Sequence, residues 1–250
     1  MRKIKYSIIF LIILGSLLFI FSPDFLPENL EFKEFLDSTE VADVFIIFNS
    51  GGWGYTPLQS AKDFAPIMEG IQETLNEWGF NSIIVTYLRT KNNLLGKITA
   101  TKEMALSFQG QSEKLAKDIE EFLEQNPGKK IIIAGLCSGA VFANQIMEKL
   151  SAKTQNAVFV IGAGIPLWEK PFNSENILYL DNEGKDPLSK GEIKILISTL
   201  LESPFKWLSA KISGNNFTFS QAFQVPGHEY FWDSPEVGPQ IVNFLEDKIR

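Results

Sequence analysis

Residues 131–150 read IIIAGLCSGAVFANQIMEKL, and this stretch is the most informative part of the chain for its fold. It opens on a run of branched apolar residues, which is typical of a strand buried on both faces. It continues as a helical pattern in which Val141, Ile146 and Leu150 are available for packing. The junction Gly135-Leu136-Cys137-Ser138-Gly139 puts glycine two positions before and two positions after Cys137. The stretch therefore predicts a strand that turns sharply into a helix, with Cys137 at the turn.

Short apolar runs and helical patterns alternate in the same way from residue 43 onward. Strands are predicted at Val44–Phe48, Ser82–Tyr87, Lys130–Ala134, Ala157–Ile161, Ile177–Leu180 and Phe217–Val225. Helices are predicted near residues 60–78, 110–126, 138–151, 189–203 and 235–249. This alternation indicates an α/β domain whose central sheet is mostly parallel and carries helices on both faces. In such sheets the ligand binds at the carboxyl ends of the strands.

Cysteine and histidine are the rarest residue types in the chain, and their number limits the kinds of site that it can contain. The 250 residues include one cysteine, Cys137, and one histidine, His228. A single cysteine excludes an intramolecular disulfide, and a structural zinc site is nearly impossible because such sites draw four ligands mostly from these two types. The net charge of −7 argues against a nucleic-acid partner, which would need a basic face. We expect no metal and no cofactor.

The N-terminus carries a candidate membrane anchor. Tyr6–Pro23 is eighteen residues long, contains no charged residue, and follows Arg2, Lys3 and Lys5. A run of this length is just sufficient to cross a bilayer, and the basic residues before it should stay in the cytoplasm. No small-residue cleavage site follows, so an uncleaved anchor is favoured over a signal peptide. We expect an anchor at residues 1–23, a linker at 24–42, and an extracytoplasmic domain at 43–250.

The sequence around Cys137 resembles the G-x-S-x-G nucleophile elbow of the α/β-hydrolases, with cysteine in the central place. This resemblance implies an α/β-hydrolase fold for the domain, and Cys137 as its nucleophile. A residue that opens a helix faces unpaired N–H groups, which favour the thiolate. Cysteine at this position is similar to that of the dienelactone hydrolases, which act on lactones, and of the polyester synthases, which transfer acyl groups to hydroxyls.

The same resemblance implies a base and an acid, because triads of this fold run in the order nucleophile, acid, histidine. His228 fits this order, since it follows the last predicted strand in Val-Pro-Gly-His-Glu. For the acid, family members usually carry glycine and then Asp-Pro in the loop after the preceding strand. Gly184-Lys185-Asp186-Pro187 resembles that pattern and favours Asp186, with Asp181 at the strand end as the alternative.

The loop after the first strand, Asn49-Ser50-Gly51-Gly52-Trp53-Gly54, resembles the HGGG-type oxyanion loop, with Asn49 and Ser50 in the place of the histidine. The resemblance implies that backbone N–H groups of Gly52 or Trp53, together with that of Ser138, hold an oxyanion. Arg89 and Lys91 follow the second strand, and we expect them to be solvated charges on an ordinary loop that runs to Leu106.

These features lead to one hypothesis and two alternatives. The hypothesis is a membrane-anchored hydrolase that cleaves an ester, thioester or lactone through Cys137, His228 and Asp186, with a small acyl compound as its substrate. One alternative is a non-catalytic binding module of hydrolase fold at the membrane. The other is a cysteine peptidase or acyltransferase that uses the same residues.

Overall fold

The computed structural model describes Phe32 and residues 42–215 and 225–250. Five strands are present there, listed here in chain order: β1 (Val44–Asn49), β2 (Ser82–Thr86), β3 (Lys130–Leu136), β4 (Val158–Ala163) and β5 (Ile177–Leu180). The helices are α1 (Ala65–Glu77), α2 (Leu94–Ala105), α3 (Gln109–Gln125), α4 (Ser138–Lys149), α5 (Ala152–Gln155), α6 (Pro187–Lys190), α7 (Ile193–Ile212) and α8 (Gly238–Ile249). A short 3-10 helix lies at Leu58–Ser60. The five strands confirm the predicted strand order up to Leu180.

The strands form one sheet in the order β2-β1-β3-β4-β5, and every described pair is parallel. The chain leaves β1 toward β2 on one side and returns to β3 on the other side of β1. The carboxyl ends of β1 and β3 therefore border the point where the winding of the sheet reverses, which is where open α/β sheets form their ligand crevice. In the ladder between these strands, Asn49 pairs with Gly135.

Helices cover both faces of the sheet, as predicted. Alternate side chains of each strand enter two separate apolar clusters, because successive residues of a strand point to opposite faces. Phe45, Ile47, Ile131 and Ile133 pack with α3 and α4. Val44, Ile46, Ile132 and Ala134 pack with α1 and α8. All six residues of β1 are buried, which explains its nearly unbroken apolar sequence.

The segment after β2 differs from the prediction. The expected loop through Leu106 contains helix α2, which begins after Asn93, whose side chain accepts a hydrogen bond from the N–H of Gly96 at 2.7 Å. The sequence pattern does not reveal this helix, because its exposed and buried positions are the reverse of those expected for an amphipathic helix. Four of the apolar side chains here are exposed, namely Leu94, Leu95, Met104 and Leu106, whereas Thr99 and Glu103 are buried.

Three further predictions concern a helix, a strand and the linker. The helix predicted near 189–203 is two helices, α6 and α7, separated by Gly191 in a left-handed conformation. The predicted strand Phe217–Val225 lies outside the described residues except for Val225, which is buried and is not in a strand. Phe32, within the predicted linker, is buried against the ring of Tyr87 at a centroid distance of 5.3 Å.

The predicted anchor at residues 1–23 also lies outside the described residues. Within residues 42–215 and 225–250, no helix combines the length and the apolar character needed to cross a bilayer.

Candidate active site

Cys137 lies at the junction of β3 and α4 in a conformation that non-glycine residues seldom adopt, with φ 53° and ψ −115°. Its N–H donates to the carbonyl of Ala163 at 2.8 Å, and its carbonyl accepts from the N–H of Val141 at 3.1 Å. Strained backbone of this kind persists only where the surroundings fix it, and it is common at functional sites. The turn leaves the thiol partly exposed at the carboxyl edge of the sheet.

The two glycines around Cys137 are required by close packing. A Cβ at Gly135 would lie 2.4 Å from the carbonyl carbon of Gly139, and a Cβ at Gly139 would lie 2.3 Å from the carbonyl oxygen of Asn49. Contacts with backbone at these distances cannot be relieved by moving a side chain. The glycine spacing noticed in the sequence therefore allows β3, α4 and the end of β1 to meet.

His228 lies beside the turn and links Cys137 to Asp186. Its Nδ1 lies 2.7 Å from Oδ2 of Asp186, which leaves Nε2 as the ring nitrogen available to Cys137. Burial alone would lower the pKa of His228, but hydrogen bonds and charge interactions with Asp186 and Cys137 raise it to about 10. An imidazole with this pKa is protonated at neutral pH and can stabilise a neighbouring thiolate.

Of the two candidate acids, Asp186 contacts the histidine. Its side chain is fully buried, and it caps α6 by accepting a hydrogen bond from the N–H of Leu188 at 2.8 Å. Burial raises the pKa of Asp186, but hydrogen bonds from His228, Tyr230 and Leu188 outweigh this and lower it below the usual value. The side chain of Asp181 is exposed, and its backbone carbonyl accepts from the N–H of Asp186.

Tyr230 is a member of this network that the sequence analysis did not identify. Its hydroxyl lies 2.6 Å from Oδ2 of Asp186 and 3.1 Å from the carbonyl oxygen of Leu180, and the side chain is buried. Burial, followed by the hydrogen bond to Asp186 and then by its charge, raises the pKa of Tyr230, so it remains a neutral donor. The only sequence signal is its place two residues after His228.

Gly164 provides the surface on which the histidine rests. It has φ 63°, and a Cβ at this position would lie 2.4 Å from Cε1 of His228 and 2.7 Å from Oδ2 of Asp186. The imidazole and the carboxylate therefore pack directly against backbone, which restricts both to one arrangement.

The loop after β1 packs against the turn at Cys137, as the sequence implied. Gly52 accepts a hydrogen bond from Oγ of Ser138 at 2.7 Å, and a Cβ at Gly51 would lie 3.1 Å from the carbonyl oxygen of Leu136. The N–H of Ser138 belongs to the first turn of α4, where such groups have no partner within the helix. The structure thus brings Gly52 and Ser138 together. The Trp53 carbonyl accepts from Oγ1 of Thr90, and its ring is exposed.

Arg89 contradicts the expectation of a solvated rim charge, whereas the side chain of Lys91 is exposed as expected. Arg89 is only 2% exposed, and its guanidinium donates to oxygens of Ser50 and Ser138. A pocket of about 70 Å³ lies beside Cys137. Its lining is mostly apolar and comprises Met104, Phe108, Cys137, Ser138, Val141, Pro166, Trp168 and Glu169. Within the described residues, no cluster of side chains suited to binding a metal ion is found.

No protein-family model matches the sequence, and no curated protein matches it. Among solved structures, the fold is similar to an acetylxylan esterase with a TM-score of 0.50, 15% identity, and coverage of 84% of this chain and 100% of that chain. A cutinase of Trichoderma reesei bound to a phosphonate inhibitor matches with a TM-score of 0.42 and 13% identity, over 60% of this chain and 69% of that chain. At such identities the likeness concerns the fold alone, which is α/β-hydrolase-like.

Proposed function

We propose that this chain is a hydrolase of ester, thioester or lactone bonds that works through a covalent acyl-cysteine. The observation that carries the proposal is the grouping of Cys137, His228 and Asp186 at the carboxyl edge of β3, where Nδ1 of His228 lies 2.7 Å from Oδ2 of Asp186 and the imidazole interacts with Cys137. A nucleophile, a base, and a group that orients the base are the parts that acyl transfer requires. The acetylxylan esterase with a similar fold supports ester hydrolysis in general, and it does not identify the nucleophile or the substrate.

In the proposed reaction, the Cys137 thiolate attacks the carbonyl carbon and forms a C–S bond, while the carbonyl electrons move to oxygen. N–H groups of Ser138 and Gly52 stabilise this oxyanion. When the tetrahedral intermediate collapses, the bond to the leaving oxygen or sulfur breaks, and protonated His228 gives that atom its proton. Neutral His228 then takes a proton from water, the hydroxide attacks the acyl-cysteine, and the acid and free Cys137 are released.

The pocket beside Cys137 supports a short apolar acyl group. Its volume is about 70 Å³, whereas a cavity that accepts benzene measures about 150 Å³. Phe108 and Val141 contribute apolar side chains to its wall. We expect acetyl and butyryl esters to be better substrates than esters of long-chain acids.

The test uses the full-length protein in detergent with p-nitrophenyl acetate, an acyl thioester and a peptide panel. We expect wild type to hydrolyse the ester or thioester, and acid-quenched samples to carry the acyl mass on the peptide that contains Cys137. Cys137→Ala should reduce turnover to background. Undiminished turnover by this variant would refute the mechanism. Cleavage of the peptides alone would favour the peptidase, and the absence of any turnover together with slow alkylation of Cys137 would favour the binding module.

We also propose that Tyr6–Pro23 anchors the chain in a membrane with the domain on the extracytoplasmic side. The charge-free run and the basic residues before it support this proposal. The chain should resist extraction by alkaline carbonate, and protease added to intact cells should degrade the domain. Release by carbonate, or protection from protease, would contradict the anchor or its orientation respectively.

A further inference from the structure

Arg89 is a buried cation that has no carboxylate partner among the described ion pairs. Its Nη2 donates to the carbonyl oxygen of Ser50 at 2.6 Å and to Oγ of Ser138 at 3.0 Å, and its Nη1 lies 3.3 Å from the carbonyl oxygen of Ser138. Arginine is almost never this deeply buried unless it is paired. Three neutral oxygens therefore hold a charge that a salt bridge would normally balance.

The surroundings are shaped to the guanidinium. Its central carbon lies 4.8 Å from the ring centroid of Phe108 and 5.6 Å from that of Phe142, within the range of cation–π attraction. Gly54 has φ 76°, and a Cβ there would lie 2.8 Å from Nε of Arg89. Phe108 also has a left-handed backbone, with φ 56°, which a bulky residue rarely adopts.

The hydrogen bonds of Arg89 join the two segments proposed to hold the oxyanion. Ser50 belongs to the loop after β1, and Ser138 follows Cys137. Ser138 extends the connection, because its hydroxyl donates to the carbonyl of Gly52. The backbone N–H of Arg89 also donates to the carbonyl of Gly54 at 2.8 Å. One residue thereby ties both ends of this loop to the turn at Cys137.

Arg89 keeps its charge at neutral pH. Burial lowers the pKa of Arg89 to about 10, while the charge interactions with Cys137 and Tyr87 oppose the decrease. The guanidinium therefore remains protonated, and its hydrogen bonds are those of a cation.

We propose that Arg89 is a positioning residue of this site, whose guanidinium fixes the loop 50–54 against Ser138 through its planar fork of donors. The inference rests on the proposed function for its effect on turnover. Lysine tests the role of the fork, because it supplies a positive charge without the planar arrangement of donors.

The experiment compares wild type with Arg89→Met, Arg89→Gln, Arg89→Lys and the exposed control Lys91→Met, all as full-length protein in detergent. Hydrogen exchange of residues 50–54 is followed by mass spectrometry, and turnover is measured with p-nitrophenyl acetate. For the neutral variants, amide exchange in this loop should be faster than in wild type, because the hydrogen bonds that fix the loop are lost. Their kcat should fall about 100-fold, as when an oxyanion donor is displaced.

Arg89→Lys should lose kcat with little change in KM, because it keeps the positive charge without the fork, and Lys91→Met should match wild type in both measurements. Unchanged kcat in Arg89→Lys, or wild-type exchange of the loop in a folded neutral variant, would overturn the role of the fork. If wild type hydrolyses no ester, the proposed function fails, whereas the exchange of the loop still decides whether Arg89 positions it.

Discussion

Two buried charges border the site, and their environments differ. The carboxylate of Asp186 accepts hydrogen bonds from Leu188, Tyr230 and His228, so charged or strongly polar donors satisfy both of its oxygens. Among the described residues, the guanidinium of Arg89 donates to neutral oxygens of Ser50 and Ser138 and lies against the ring of Phe108. The contrast indicates that the charge of Asp186 is balanced within its own network. Arg89 instead uses its donors to join the loop after β1 to the turn at Cys137.

Replacing the balanced charge should have the largest effect. Asp186→Asn keeps the shape of the side chain but removes the charge that orients His228 and keeps it protonated, and kcat should fall by about 10⁴-fold. Asp181→Asn, which changes an exposed carboxylate in the same loop, should stay within about twofold of wild type because surface charges contribute little. The measurement is kcat of both variants from steady-state kinetics with p-nitrophenyl acetate. An equal loss in both variants would remove the distinction between the two acids.

The next effect concerns the donor that supports Asp186. Tyr230→Phe removes a hydrogen bond to a buried carboxylate, and we expect a loss of about 2 kcal/mol in the free energy of unfolding. We expect kcat to fall about tenfold, since a carboxylate held by one fewer donor orients His228 less well. Tyr179→Phe is the matched control, because its hydroxyl bonds Asn144 and the carbonyl of Phe172 instead. The control should lose stability and retain kcat, and a retained kcat in Tyr230→Phe would contradict the support role.

A smaller effect should appear in the pH dependence of stability. The pKa of His228 is raised from 6.5 to about 10 in the folded chain, so its pairing with Asp186 stabilises the fold fully below pH 6.5. That contribution decreases as the pH rises from 6.5 toward 10. Urea unfolding of wild type and Asp186→Asn should therefore give a stability difference that narrows over this range. A difference that is constant from pH 6 to 10 would argue against the pairing.

The smallest expected effect tests the link between Arg89 and Gly52. Ser138→Ala removes the hydroxyl that connects them, and we expect kcat to fall about threefold and stability by about 1 kcal/mol, the usual value of one hydrogen bond. Ser82→Ala deletes another buried hydroxyl, which bonds Asn76 at the opposite end of the sheet. This control should lose similar stability at unchanged kcat. A rate loss of the same size in the control would mean that the link at Ser138 has no special role.

Local sequence patterns predicted the parts of this molecule that depend on local rules. Strands β1–β5 follow unbroken apolar runs, and the turn at Cys137 follows glycine spacing that backbone packing demands. Helix α2 escaped prediction because its apolar side chains are exposed and its polar ones buried. The pattern Gly184-Lys185-Asp186-Pro187 favoured Asp186 over Asp181, and the tertiary contact with His228 now distinguishes them.

Arg89 was predicted wrongly for the same kind of reason. Charged residues after a strand are normally solvated, and its burial depends on Phe108, Phe142 and Gly54, which come from three other segments of the chain. Tyr230 was missed because a tyrosine near the C-terminus carries no signal of its partner. Both residues act through contacts between distant segments, and no local pattern records such contacts.

Asn49 of β1 pairs with Gly135 of β3, just before the glycine loop and Cys137. These two parts of the site should therefore resist heat better than the part that contains His228. Cys137 follows β3 and the glycine loop follows β1, and these two strands pair in the sheet. Both segments should therefore keep their positions until the central strands separate. His228 is not part of a described strand, and it is held by Asp186 and by the backbone of Gly164. On gentle warming, we expect His228 to leave its position beside Cys137 before the turn at Cys137 unfolds, and to return to it on cooling.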